Sequence, residues 1–399
     1  VSSSFSDLGV PADVVASLAR RGITEAFPIQ SMAIPPALAG RDVCGRAPTG
    51  SGKTLAFGIP LAQRVTRARP ARPRALVLAP TRELAAQIHE ELHKLLGPQG
   101  RSVASFYGGV SFTPQLKVLR RGVDVAVACP GRLGDLVRRG NLILDDVQFV
   151  VIDEADRMAD MGFLPDVKRI LDQVRPDRQT LLFSATLDGD VDVLIKRYQQ
   201  DPARCEVEVE QAEADRTTHH FLRATREDRV GMTADLVGEH GSAVVFCRTK
   251  HGADRVAGQL QRAGVSAVAI HGGRSQSQRD RALAAFSGGR VQALVATDVA
   301  ARGIHVDNVG CVVHFDVAGD HKDYVHRSGR TGRAGAEGVV VSFVTDADVA
   351  KVRQLQKALG VPLHPKAGTP APGPGPGRTA RPPRNRRPQS QPQSRRRTA

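Results

Sequence analysis

The chain has 399 residues, 41% hydrophobic and only 4% aromatic, with 56 Lys and Arg against 41 Asp and Glu for a formal charge of +15. At roughly 150 residues per domain this length accommodates two or three domains, each able to bury its own core, which excludes a disulfide-stapled miniprotein. Five cysteines (Cys44, Cys129, Cys205, Cys247, Cys311) are odd in number, far apart and without a CxxC pair, so they suggest neither a disulfide framework nor a zinc site. That usage predicts a reducing, cytoplasmic setting. No apolar run approaches the 18 residues that span a bilayer, and the opening VSSSFSDLGV is polar, so neither membrane association nor a leader is expected.

In chain order, the glycine-bearing run 47–54 leads into the amphipathic LAFGIPLAQRV, which reads as a helix. The runs ALVLAP (75–80), VDVAVACP (123–130), FVVIDEAD (149–156) and TLLFSAT (180–186) read as buried strands, separated by helical stretches such as TRELAAQIHEELHKLL and LPDVKRILDQV. The plan repeats at SAVVFCRT (242–249), VSAVAIHG (265–272), VQALVATDV (291–299) and GCVVHFD (310–316), with helices near 250–263 and 275–286. Continuous apolar strands alternating with helices indicate parallel sheets covered on both faces. The expected organisation is an α/β domain over 1–205, a linker at 206–217 in which EVEVE could also form a last short strand, and a second α/β domain over 218–362.

From His364 onward the chain holds one Lys, eight Arg, no acid and nine of the 25 prolines. That is +9 of the +15, leaving +6 for the preceding 363 residues. Such a segment cannot bury enough apolar surface to offset ordering entropy, so residues 363–399 are expected to be a disordered tail. Its charge suits an electrostatic tether to nucleic acid, and it lacks the Trp, Phe or Leu that would insert into a membrane surface.

Ala47-Pro48-Thr49-Gly50-Ser51-Gly52-Lys53-Thr54 matches the phosphate-binding pattern GxxxxGK[ST] except for Ala47 in place of the first Gly. Gly50 and Gly52 let backbone N–H groups face phosphate oxygens at a helix N-terminus, Lys53 neutralises the outer phosphates, and the Thr54 hydroxyl ligates magnesium. About a hundred residues on, Asp153 and Glu154 follow an apolar strand. Alone, such a pair is as often a solvated turn or a helix start. Paired with the loop, Asp153 is the second magnesium ligand and Glu154 the group that orients or deprotonates the attacking water. Together they specify nucleoside triphosphate hydrolysis with Mg²⁺.

Eleven segments in register carry a resemblance: FPIQ (27–30), APTGSGKT, PTRELA (80–85), YGG (107–109), CPGR (129–132), DEAD (153–156), SAT (184–186), VFCRT (245–249), SQSQR (275–279), ATDVAARGI (296–304) and HRSGRTGRAG (326–335). The chain resembles the DEAD-box ATP-dependent RNA helicases over about residues 5–345, among them the bacterial RhlE-like members with a basic tail. The resemblance implies two tandem RecA-like domains with ATP and Mg²⁺ between them. It implies that Gln30 reads the adenine edge, and that Phe5 stacks on the base, a position that also suits a core anchor. Ser184, Ala185 and Thr186 would couple hydrolysis to strand separation, Arg330 and Arg333 would act as arginine fingers, and His326 and Arg327 would bridge the domains. RNA would be held by Pro80, Thr81, Arg82, Gly109, Arg132 and Thr297, a set suited to backbone contact without sequence preference.

Departures from the family pattern are Ala26, Phe27 and Ile23 before PIQ, Cys129 for the usual Thr, His305 for the usual Asp, and His314 and Ala318 around the FD strand. None removes a catalytic group. The expected function is ATP-dependent local unwinding of short RNA duplexes. An ATP-gated RNA clamp or chaperone is the alternative, and a duplex-DNA translocase is disfavoured by the DEAD spelling and Gln30.

Overall fold

The structure is a computed structural model that describes residues 3–48, 50–207, 217–301, 309–332 and 338–359. The expectations placed on Thr49, His305, Arg333 and the tail lie outside the described residues.

The strands, in chain order, are β1 (Ser3–Ser4), β2 (Glu25–Ala26), β3 (Val43–Arg46), β4 (Ala75–Leu78), β5 (Val103–Phe106), β6 (Val125–Ala128), β7 (Phe149–Ile152), β8 (Gln179–Ser184) and β9 (Ala203–Glu206), then β10 (Thr217–Arg223), β11 (Ala243–Phe246), β12 (Ala267–Ile270), β13 (Ala293–Ala296), β14 (Cys311–His314) and β15 (Gly338–Val344). β1 and β2 pair antiparallel, and the other strands form two parallel sheets. The first has order β5-β6-β4-β7-β8-β3-β9 and the second β10-β15-β14-β11-β13-β12. β9 ends at Glu206 and β10 begins at Thr217, so the first and last residues of the expected linker belong to strands, while 208–216, with most of EVEVE, lie outside the described residues.

The central strands β4, β6, β7, β11 and β13 are apolar at every position because both faces are covered, whereas the edge strands β9 and β10 carry exposed polar residues. In β4, β6 and β7, Val77, Val127 and Val151 pack into one cluster while Leu76, Leu78, Ala126, Val150 and Ile152 pack into the other. In the second sheet, Val244, Phe246, Leu294 and Ala296 face one core, and Ala243, Val245, Ala293 and Val295 face the other. This is the two-residue alternation of a strand with apolar residues on both sides. At about 1.5–3 kcal/mol for each fully buried Val, Leu, Ile or Phe, four such layers are the main term holding each sheet to its helices.

Parallel sheets present loops at the carboxyl ends of their strands, and that edge is where α/β folds place ligands. In the first sheet the adjacent strands β7, β8 and β3 lead into DEAD, SAT and the glycine loop. The adjacent strands β5, β6 and β4 lead into YGG, CPGR and PTRELA. Topology thus divides one edge into a phosphate half and an RNA-motif half.

Candidate active site

The loop after β3 turns through Gly50 (φ +92°) and Gly52 (φ +83°) into the helix Lys53–Arg64. Gly52 is required twice: by its left-handed backbone, and because a Cβ there would stand 2.4 Å from Gln30 Nε2 and 2.6 Å from the Phe27 ring. Lys53 is buried, and its ammonium donates to the carbonyls of Ala47 (2.9 Å) and Pro48 (3.2 Å). Ser51 Oγ also donates to the Pro48 carbonyl, at 2.8 Å. The loop is thereby closed on its own lysine, and the Ala47 N–H ties it to the Ser184 carbonyl of β8 at 3.1 Å.

Asp153, Glu154 and Asp156 are all buried. Glu154 is a non-glycine residue at φ +51°, a strained conformation that concentrates at functional sites. The Asp153 Oδ1 accepts the Glu154 N–H at 2.9 Å. Burial pushes the Asp153 carboxyl up to about 7, against the pull of Lys53. Burial acts the same way on Glu154, yet Arg157, Lys53 and Arg330 hold its carboxyl down at about 2, with Arg157 in direct ion-pair contact. Two neighbouring carboxylates are thus set in opposite senses by their surroundings. Asp156 joins this strand end to SAT: its N–H donates to Ser184 Oγ (3.1 Å) and its Oδ2 accepts the Ala185 N–H (3.2 Å). Thr186 is half-buried beside them.

Among the described residues no cluster of three or more His, Cys, Asp or Glu could hold a metal by itself. A single buried carboxylate that burial disfavours as an anion, next to a phosphate loop, fits a magnesium ion that takes one or two protein oxygens and completes its shell with phosphate and water.

On the RNA-motif half, Gly109 (φ +78°) lies against the Arg82 guanidinium, where a Cβ would meet Nη1 at 2.2 Å. Arg132 is buried, donates to the Val110 carbonyl at 2.9 Å and stacks over Phe112 at 3.9 Å, with Nη1 left without a partner. Thr81 Oγ1 caps the helix Arg82–Leu96 by accepting the Leu84 N–H at 3.3 Å. Pro80 and Thr81 are buried, as is Thr297 at the end of β13, whereas Gly109 is exposed. Motif residues from the two sheets meet here. Arg279 pairs with Glu83 at 2.8 Å with both side chains buried, Gln276 Nε2 reaches Glu83 at 3.3 Å, and Arg82 Nη1 reaches Gln276 Oε1 at 3.4 Å.

The second sheet's helix His321–Ser328 carries His326, whose affinity for a proton is lowered by burial and by Arg157, with Asp156 and Glu154 opposing. His326 is thus electrostatically linked to the DEAD carboxylates. Arg330 is buried, donates from Nε to the His326 carbonyl at 3.2 Å, and acts electrostatically on Glu154.

Two expectations are corrected, and a third gains a structural partner. Arg327 does not bridge the sheets: its guanidinium binds both oxygens of Asp298 (2.6 and 2.8 Å) and the Asp316 carbonyl (2.7 Å), all in the second sheet's own lobe. Phe5 is 1% exposed within the first core, so its ring has no free face for a base and is a packing residue. Gln30, also 1% exposed, gives both amide functions to backbone: Oε1 accepts the Phe27 N–H and Nε2 donates to the Gly52 carbonyl, each at 2.9 Å. In this arrangement one bond from each end of the amide holds the loop, leaving one Oε1 lone pair and one Nε2 N–H for the adenine edge that the resemblance assigns to it. Sequence reasoning gave no role to Arg157, Glu83, Gln276, Arg279 or Asp298. The polar Gln276 and the charged Arg279 within SQSQR were the available signal, since such side chains inside a spaced motif need partners.

A glycine loop entering a helix, with strand-end carboxylates beside it on a parallel sheet, defines a phosphate-loop nucleotide-binding protein of the α/β class. The family comparisons match residues 27–194 to the DEAD/DEAH box helicases and 228–335 to the helicase conserved C-terminal domain. The chain is 39% identical over 357 residues to the DEAD-box ATP-dependent RNA helicase CshA of Geobacillus kaustophilus, covering 89% of this chain and 76% of that protein. It is 42% identical to DEAD-box ATP-dependent RNA helicase 30 of Arabidopsis thaliana, covering 89% of this chain but only 61% of the relative's length. The solved structure of Saccharomyces cerevisiae Dbp5 bound to RNA and ADP BeF3 superposes with a TM-score of 0.81 at 30% identity, covering 90% of this chain and 94% of that one. The chain belongs to the DEAD-box ATP-dependent RNA helicase family.

Proposed function

We propose that this protein is an RNA-dependent ATPase that grips RNA backbone and locally separates short duplexes. The observation that carries this reading is the shared edge of the first sheet: nucleotide-type motifs on β7-β8-β3 and RNA-type motifs on β5-β6-β4, with the DEAD and SAT strand ends joined through Ser184 and Asp156. A similar protein, Dbp5, bound to RNA and ADP BeF3, supports it.

In this reading Lys53 exchanges the Ala47 and Pro48 carbonyls for phosphate oxygens. Thr54 and Asp153 would hold magnesium, which supplies charge neutralisation when bound. Glu154, kept ionised, orients the attacking water or takes its proton. Arg330, together with Arg333, stabilises the charge that develops on the transferred phosphoryl group. One RNA strand runs over Pro80, Thr81, Arg82, Gly109, Arg132 and Thr297. At roughly 1.4 kcal/mol per stacked step, opening four or five pairs costs about 6 to 7 kcal/mol, which suits short helices.

Residues 1–205 and 218–362 act as the two lobes, and 363–399 as a tether to RNA. The setting is cytoplasmic: a reducing compartment keeps five thiols unpaired, and all five cysteines are free. The test is strand separation of a short RNA duplex with ATP and magnesium. Lys53→Ala must abolish it, and RNA must raise the rate of ATP turnover in the parent protein. A clamp instead gives ATP-dependent RNA retention without strand separation. For the tether, truncation after residue 363 must flatten the dependence of log affinity on log salt, by about 0.7 for each single-strand phosphate that the tail had neutralised.

A further inference from the structure

At the amino ends of β3, β4, β7 and β8, the edge opposite the glycine loop, lies a cavity of about 550 Å³ lined by Arg41, Arg64, Arg74, Arg175 and Arg178. Three carboxylates share it, and each is already engaged. Asp42 accepts the Thr180 and Gln200 N–H groups, both at 2.7 Å, Asp177 pairs with Arg175, and Asp201 meets Arg41 at 3.4 Å. Among the described residues, Arg64 and Arg178 have no carboxylate within 4.0 Å; Arg64 has only a 3.5 Å contact to the Leu38 carbonyl. Arg178 is half-buried, donates to the Val174 and Arg175 carbonyls and keeps a buried Nε with no partner. Burial lowers its affinity for a proton, as befits a cation without a paired carboxylate.

The same edge continues as a track. The segment RVTRARPARPR (64–74) holds five arginines, and Arg67 and Arg69 project from it with side chains about two-thirds exposed, each paired on one side with a carboxylate, Asp124 at 3.7 Å and Asp146 at 2.7 Å. A compact anion has no use for charge outside the cavity, whereas a nucleic-acid backbone follows it. Guanidinium groups, unlike ammonium, match phosphate with paired N–H donors. We propose that this arginine-lined cavity is a second RNA site, which holds phosphates of the RNA flanking the segment gripped at the opposite edge. This rests on the RNA reading above.

The test uses the full chain and a fluorescein-labelled RNA hairpin with a single-stranded extension, titrated at several salt concentrations. Arg64→Ala/Arg178→Ala should weaken binding about tenfold at 0.1 M salt and reduce the log–log salt slope by roughly 1.4 to 1.8, the value for two phosphates released. RNA-saturated ATP turnover should stay within about twofold, because neither residue belongs to the catalytic edge. Arg64→Lys/Arg178→Lys should restore the slope, which separates charge from folding. A control, Arg262→Ala/Arg290→Ala, removes two exposed arginines of the second lobe. An equal loss in that control, or an unchanged slope in the first variant, overturns the proposal. So does a variant that loses inorganic tripolyphosphate binding in ADP-saturated protein yet keeps its RNA affinity, which would assign the cavity to a compact anion. Failure of the RNA reading itself shows separately, as parent protein whose ATP turnover ignores RNA.

A different observation concerns the base. Phe27 is the most exposed large apolar side chain among the described residues, at 52%, and its ring lies against Gly52 while its N–H binds Gln30. With Phe5 buried, the geometry points to Phe27 as the aromatic face on which the nucleotide base stacks. This deepens the ATP reading. Phe27→Ala should weaken binding of a fluorescent ATP analogue about tenfold while inorganic tripolyphosphate binds as before, and Phe27→Tyr should restore it. Unchanged ATP affinity, or an equal loss for tripolyphosphate, overturns it. Parent protein that binds no ATP sinks the underlying reading instead.

Discussion

At the carboxyl edge of the first sheet, Lys53, Asp153, Glu154 and Ser184 are buried and bonded into a connected set of loop, strand end and neighbouring strand. The second sheet places its cations differently. Arg327 is fully engaged by Asp298 and Asp316, whereas Arg330, just after the same helix, acts on the first sheet's Glu154. The first lobe therefore carries a site that is internally bonded without ligand. The second supplies charge from outside, positioned by its own ion pair. The comparison teaches that a cation's family position does not fix its partner: Arg327 and Arg330 stand three residues apart, yet one orders its own lobe and the other reaches across.

The largest effect expected from this division is on turnover. Glu154→Gln and Arg330→Ala should each lower RNA-stimulated ATP hydrolysis about a thousandfold while nucleotide binding persists. Steady-state kinetics beside nucleotide binding checks this, and Arg330→Ala turning over normally would break the comparison. Next comes the junction of the lobes. Glu83→Ala leaves Arg279 as a buried cation without its partner, a loss of about 3 to 5 kcal/mol if the lobes stay together. They should separate instead, read as a fall in energy transfer between dyes on the two lobes, with either lobe's helical signal intact.

A smaller effect is confined to the second lobe. His314 is completely buried against Phe246 and Tyr324, with Nδ1 on Ser342 Oγ at 3.2 Å and Nε2 without a partner. Burial, reinforced by Arg327 and His219, lowers its pKa well below 6.5. The unfolded chain therefore takes up this proton first as pH falls, so stability present above about 6.5 is lost below it, by about 1.4 kcal/mol per pH unit until the folded value is reached. Urea unfolding at pH 7.5 and 5.5 should show this, and His314→Leu should flatten it. The smallest effect belongs to the first lobe. Cys129 is the N-cap of the helix Pro130–Arg138, in extended geometry and without a side-chain cap bond. Cys129→Thr should stabilise that lobe by about 1 kcal/mol, measured by thermal melting.

The parallel sheets were legible because each buried strand is apolar on both faces, and the runs at 75–80, 149–156 and 242–249 contain β4, β7 and β11. The short β3, VCGR, escaped notice, since a polar Arg and a Gly interrupt the apolar signal. At the site, contiguous chemistry was readable: the glycine loop, the strand-end carboxylates and SAT need only local spacing. Pairings between distant residues were not. Glu83 and Arg279 are separated by nearly two hundred residues, and nothing local distinguishes that ion pair from two solvated charges. Phe5 is a different case. Its family position allows a ring on the base or a core anchor, and the hydrophobic effect selects the second: the ring joins Val10, Val14 and Leu18.

The amide of Gln30 has a fixed polarity. Flipping it would set an N–H against the Phe27 N–H and a carbonyl oxygen against the Gly52 carbonyl, replacing two attractions by two repulsions. Each end of the amide still has unused capacity: one lone pair on the oxygen and one N–H on the nitrogen. Any edge that reaches it meets an acceptor and a donor in one order only, like a keyed socket. A purine offering a donor beside an acceptor can seat there, and one offering two acceptors cannot rotate the socket to suit itself.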